Sequence, residues 1–71
     1  MFREVKLPRG QRLLRVEESL DGMRVALAQV SPQLYATYDV TPAGFVDGPT
    51  YAGTRQLGNG QFDARLASVA A

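Results

Sequence analysis

The chain contains no cysteine and no histidine. The first absence excludes disulfides and thiolate metal sites. The second removes the commonest general base, the usual activator of a serine nucleophile and the commonest metal ligand. A serine triad cannot be assembled, and Lys6, the single lysine, leaves one candidate for Ser-Lys chemistry. No apolar run approaches the roughly 20 residues of a membrane-spanning helix. The first residues, MFREVKLPRG, lack the apolar core of a secretion signal. A soluble, cytoplasmic protein that needs no cofactor and no metal is therefore expected.

What is present reads as one small globular domain, residues 1–71, 45% apolar and 21% charged. A chain of this size buries only about 60% of the surface its unfolded form exposes. Its stability margin is thin, and self-association or a bound partner would complete its core. The charges are unevenly spread. Residues 1–16 hold Arg3, Lys6, Arg9, Arg12 and Arg15 against Glu4, a net +4. The remainder holds Arg24, Arg55 and Arg65 against Glu17, Glu18, Asp21, Asp39, Asp47 and Asp63, a net −3.

The stretch RVEESLDGMRVAL, residues 15–27, is either one helix weakened by Gly22 or two strands folded back at Asp21-Gly22. A central glycine costs a helix about 1 kcal/mol relative to alanine, whereas Asp-Gly suits a two-residue hairpin turn. The hairpin is preferred, although Met23, Leu27 and Val30 also recur at helical spacing. Counting outward from that turn sets Leu20 opposite Met23, Glu18 opposite Val25, Val16 opposite Leu27 and Leu14 opposite Gln29. One face then collects Leu14, Val16, Leu20, Met23, Val25 and Leu27. The other collects Leu13, Arg15, Glu17, Ser19, Arg24, Ala26 and Ala28, the pattern of an antiparallel sheet covered on one side.

Residues 2–8 alternate similarly. A turn at Arg9-Gly10 would return them along residues 11–19, with Val5 facing Leu14 and Glu4 facing Arg15. Ser31-Pro32-Gln33-Leu34 forms a turn with proline at its second position, placing Val25 opposite Val40 and Leu27 opposite Tyr38. A four-strand meander over residues 2 to about 41 results. The stretch TPAGFVDGPTYAG is rich in proline and glycine and reads as a loop, with at most a short strand at Phe45-Val46. The end of the chain carries two signals. Asn59-Gly60 favours a hairpin pairing Leu57 with Phe62. Phe62, Leu66 and Val69, at i, i+4 and i+7, favour a helix with Asn59 as its N-cap. The strands are preferred, with the short helix as the alternative.

The candidate sites follow from that register. Tyr38 points into the core. Leu13, Arg15, Arg24 and Tyr35 stand on the outer face and are the candidate protein-binding residues, since aromatic and arginine anchors dominate interface energetics. Lys6, Arg9, Arg12 and Arg15 form the alternative, a nucleic-acid site in which cations neutralise phosphates. Interleaved Glu4 and Glu17 weaken it, because mixed charge is usual on a solvated sheet. Glu17 and Glu18 lie on opposite faces of a strand and cannot cooperate. A cluster of Asp39, Asp47 and Asp63 would be needed to build an acid/base site. Gly58-Asn59-Gly60-Gln61-Phe62-Asp63 departs from a dinucleotide fingerprint at its last position and has no βαβ unit around it.

The sequence thus implies a mainly β fold, a small antiparallel meander or partly open barrel. The function expected is that of a non-enzymatic binding module, an accessory, inhibitor or adaptor protein. It would contact a larger protein, or a second copy of itself, through a sheet face or edge. Exposed strand edges invite such pairing.

Overall fold

The computed structural model describes residues 5–19 and 22–69, with side chains through residue 67. Four strands, β1 (Arg12–Glu18), β2 (Arg24–Ser31), β3 (Leu34–Val40) and β4 (Val46–Ala52), precede one helix, α1 (Arg55–Val69). The strands form an open antiparallel sheet in the order β1-β2-β3-β4. The mainly β meander is therefore present, and the ambiguous C-terminal segment is helical.

The chain does reverse near Gly22, but the connection is one residue longer than the Asp-Gly turn implies. Ser19 donates its N–H to the Met23 carbonyl at 2.7 Å and Gly22 donates to the Ser19 carbonyl at 3.1 Å. Three residues thus lie between the paired Ser19 and Met23, and the last of them, Gly22, has φ +88°. This is the glycine-closed three-residue loop of hairpins. The expected contact of Leu20 with Met23 lies outside the described residues. Pairing beyond the loop is shifted by one: Glu18 faces Arg24, Glu17 faces Val25 and Val16 faces Ala26. Leu14 is then an extra residue, a bulge between Leu13 opposite Ala28 and Arg15 opposite Leu27.

The next hairpin shows the same kind of error with a different cause. Ser31 does pair with Leu34 around Pro32-Gln33, but a bulge at Val30 moves every later pair by one. Val25 faces Asp39 instead of Val40, and Leu27 faces Thr37 instead of Tyr38. A one-residue slip exchanges the two faces of a strand, so several face assignments change.

One face carries Val25 and Leu27, both fully buried under Phe62 of α1, with Leu14, Tyr35 and Leu66 packed around them. The opposite face carries Ala28, Ala36 and Tyr38, covered by Leu7, Val30 and Val46. Ala26 and Ala28, expected in solvent, are wholly buried. Met23, expected in the core, is 39% exposed. Tyr38 is buried as expected, but in this second core, where its hydroxyl donates to Gln11 Oε1 at 2.7 Å.

Two further elements differ from expectation. Among the described residues, 5–8 do not pair with β1, so Val5 does not face Leu14; the expected Glu4–Arg15 contact lies outside the described residues. Instead Lys6 forms a parallel bridge with Phe45 and donates to the Gly44 carbonyl at 2.7 Å. From there the segment carries Leu7 onto the second face and turns at Pro8–Gln11 into β1. The fourth strand comes from the Pro/Gly-rich stretch read as a loop. Gly48 and Pro49 form a bulge opposite Tyr38, and proline is tolerated there because β4 is an edge strand.

The helix starts at Thr54, not Asn59: Thr54 Oγ1 accepts the Leu57 N–H at 3.2 Å, an N-cap bond. Phe62 and Leu66 at i and i+4 deliver its apolar stripe to Val25 and Leu27. Complete burial of a phenylalanine contributes about 2–3 kcal/mol. Gly58 lets the helix approach closely, since a Cβ there would lie 3.2 Å from Tyr35 Cβ and 3.3 Å from Leu27 Cδ1.

Candidate protein-binding edge

One sheet face packs against α1 and the centre of the other takes Leu7 of the N-terminal segment, which leaves the backbone at the edges to consider. The two edges are treated differently by the rest of the chain. Along β4, Lys6 bridges Phe45 at the strand's entrance. Arg65 donates to the Gly48 carbonyl at 2.7 Å and to Thr50 Oγ1, and its guanidinium lies 3.7 Å from Asp39. Gln61 donates to the Tyr51 carbonyl at 3.1 Å. Pro49 has no N–H to offer. Side chains of α1 thus satisfy β4 carbonyls that another strand would otherwise use. Among the described residues β1 pairs on one side only, with β2.

The outward groups of β1 follow from the ladder. Ser19 donates inward to Met23. By antiparallel alternation, Glu17 and Arg15 also turn their backbone groups toward β2, while Val16 and Glu18 turn theirs outward. Beyond the bulge Leu13 sits opposite Ala28, which bonds toward β3, so Leu13 faces outward too. Leu13 is 39% exposed and Val16 is half-buried, and both project on the second face. Arg12 and Glu17, both exposed, project on the helix side.

The sequence-derived candidates divide between the two faces. Leu13 and Arg24 lie on the second face, Arg24 half-buried between Glu18 and Val40. Arg15 and Tyr35 lie on the helix face. Tyr35 is half-buried against the Val25–Leu27–Phe62 core. Arg15 stacks 4.2 Å from the centre of the Phe62 ring and donates to Asn59 Oδ1 at 2.9 Å. It also pairs with Glu17 at 2.6 Å and Asp63 at 3.4 Å. The four do not make one outer surface, because the one-residue register shift moves Arg15 and the Val30 bulge moves Tyr35.

The alternative nucleic-acid set is also separated. Lys6 stands 4.5 Å over the Phe45 ring, and Arg15 is committed to α1. Arg9 and Arg12 remain exposed in and after the Pro8–Gln11 turn. Arg12 lines a shallow cleft of about 280 Å³ with Gly10, Gln29, Val30, Ser31 and Pro32. Asp39 and Asp47 are cross-strand neighbours. Asp63 is drawn away from them to Arg15, so the three acids do not converge. Among the described residues no group of three or more metal-ligating side chains is assembled. No helix among them is long and apolar enough to cross a membrane.

Sequence reasoning missed the residues that guard β4. Gln61 and Arg65 are four apart and share a helix face, but that signal exists only once the segment is read as helical. No protein-family model matches the chain, and no characterised protein or solved structure matches it.

Proposed function

We propose that the chain is a non-enzymatic binding module that takes a strand of a larger protein partner onto the outward edge of β1. The observation that carries this reading is the asymmetry of the sheet's edges: two outward carbonyls of β4, those of Gly48 and Tyr51, are taken by α1 side chains, while among the described residues β1 pairs on one side only. Strand addition draws affinity from main-chain hydrogen bonds and specificity from alternate side chains. Here Leu13 and Val16 supply apolar contact on one face, and Arg12 and Glu17 supply charge on the other, setting encounter rate and register. The module would act as an accessory, inhibitor or adaptor by occluding or bridging its partner.

Val16→Pro tests the reading. The Val16 N–H points away from β2, so proline there removes an outward donor without breaking an internal ladder bond. Captured from native extract after nuclease treatment, the partner should bind the wild-type chain and be lost from a Val16→Pro variant with an unchanged circular dichroism spectrum. Undiminished capture by that variant would refute edge binding. Loss of all bound material on nuclease treatment would favour a nucleic acid held by Arg9 and Arg12.

A further inference from the structure

We infer that, in the absence of a larger partner, the β1 edge is taken by a second copy of this chain, joining two four-stranded sheets into one of eight strands. The inference rests on the edge reading above and names its occupant.

The segment RLLRVEE carries arginine at its start and glutamates at its end. Set antiparallel to itself about a two-fold axis, such a strand brings opposite charges together. Its bulge restricts the register further. Residues directly opposite in a ladder must project on the same face. Leu13 and Val16 share the second face, Arg12 and Glu17 share the helix face, and Leu14 and Arg15 both lie toward the helix. One register therefore satisfies all six residues: Leu13 opposite Val16 of the other copy, Arg12 opposite Glu17, and Leu14 opposite Arg15. In this register the paired Leu13 and Val16 are also the residues whose backbone groups point outward, so each pair exchanges real ladder bonds. Side chains, faces, charge and backbone phase agree, although each is fixed by a different feature.

Charges and bulges on an edge strand ordinarily repel another chain. Here the central charge does not stand in the way. Arg15 is folded back over Phe62, held by Asn59 and Asp63, and pairs at 2.6 Å with Glu17, whose side chain stays about half exposed and open to a second cation. The remaining charges lie at opposite ends of the strand, where a two-fold partner neutralises them.

Sedimentation equilibrium of the full chain at low salt, from micromolar to millimolar concentration, tests this. A single edge contact is small and weak, so the expected result is a concentration-dependent rise from 7.7 kDa toward twice that mass. Arg12→Glu and Glu17→Arg should each hold the chain monomeric. An equimolar mixture of the two should dimerise again, because each then offers what the other needs. Circular dichroism on each variant confirms that it is folded; Glu17→Arg also deprives Arg15 of a partner, so Val16→Pro serves as a second variant expected to be monomeric. A wild-type chain that stays monomeric throughout would overturn the inference, as would single variants that dimerise like wild type or a mixture that fails to recover. Failure here leaves the edge reading intact if Val16→Pro still abolishes partner capture; undiminished capture by that variant removes the edge reading itself.

Discussion

The two glycines inside α1 offer a test of how the C-terminal segment is folded and packed. Gly60 is exposed, has no positive φ and would place a Cβ in open space. Alanine there gains the helix propensity that glycine lacks, about 1 kcal/mol. For a domain of this size that raises the melting temperature by about 4–8 °C. Gly58, two residues earlier, gains the same propensity but meets resistance. Its Cβ would sit 3.2 Å from Tyr35 Cβ, which is fixed to the β3 backbone, and 3.3 Å from Leu27 Cδ1 in the fully buried core. Overpacking of this kind costs about 1–3 kcal/mol, which cancels or exceeds the gain. We therefore expect Gly60→Ala to stabilise, Gly58→Ala to be neutral or destabilising, and the two to differ by at least about 1 kcal/mol. Urea denaturation with a shared m-value, supported by thermal melts, measures the difference. The comparison also separates helix from hairpin. In an Asn59-Gly60 type I′ turn, Gly60 would need positive φ and alanine would destabilise it. Loss of stability in Gly60→Ala, or equal gains in both variants, would refute the packing described for α1.

Substitutions at two further positions probe the helix face. Thr37 is fully buried and its hydroxyl has no hydrogen-bond partner among the described residues, so Thr37→Val should remove a desolvation cost and stabilise by about 1 kcal/mol; a loss in urea denaturation would show that the hydroxyl has a partner after all. Arg15→Ala should cost about 1–2 kcal/mol through the lost ring contact with Phe62 and the charged hydrogen bond to Asn59. Arg15→Lys should fall between, since it keeps charge but not the planar fork, and an Arg15→Ala loss below about 0.5 kcal/mol would mark the network as ordinary surface charge.

Much of the fold was legible because local signals agreed. The reversal near Gly22, the Ser31–Leu34 turn around Pro32-Gln33 and the strand character of residues 12–18, 24–31 and 34–40 follow from turn chemistry and alternation. The errors came from features that alternation does not encode. A third loop residue before Met23 and extra residues at Leu14 and Val30 each shift pairing by one. The candidate surface depended on that phase, so Arg15 and Tyr35 were assigned to solvent when they pack toward α1. The alternation of the basic N-terminal run fits a hairpin arm equally well. Its bridge to Phe45 spans almost forty residues of sequence and has no local trace.

Composition and patterning by themselves determined that this chain is mainly β and offers no cysteine or histidine chemistry. They also located two of its three hairpin reversals, near Gly22 and at Pro32-Gln33, because a turn needs only the residues within it. The identity of β4, the choice of helix over hairpin at Asn59-Gly60, and the coverage of each face were decided by the tertiary structure. The reason is energetic: Phe62 and Leu66 gain more by covering Val25 and Leu27 than the Asn-Gly turn gains by closing locally. With β4 drawn from a stretch rich in glycine and proline, the helix could then bond that edge through Gln61 and Arg65, while among the described residues β1 pairs with β2 alone.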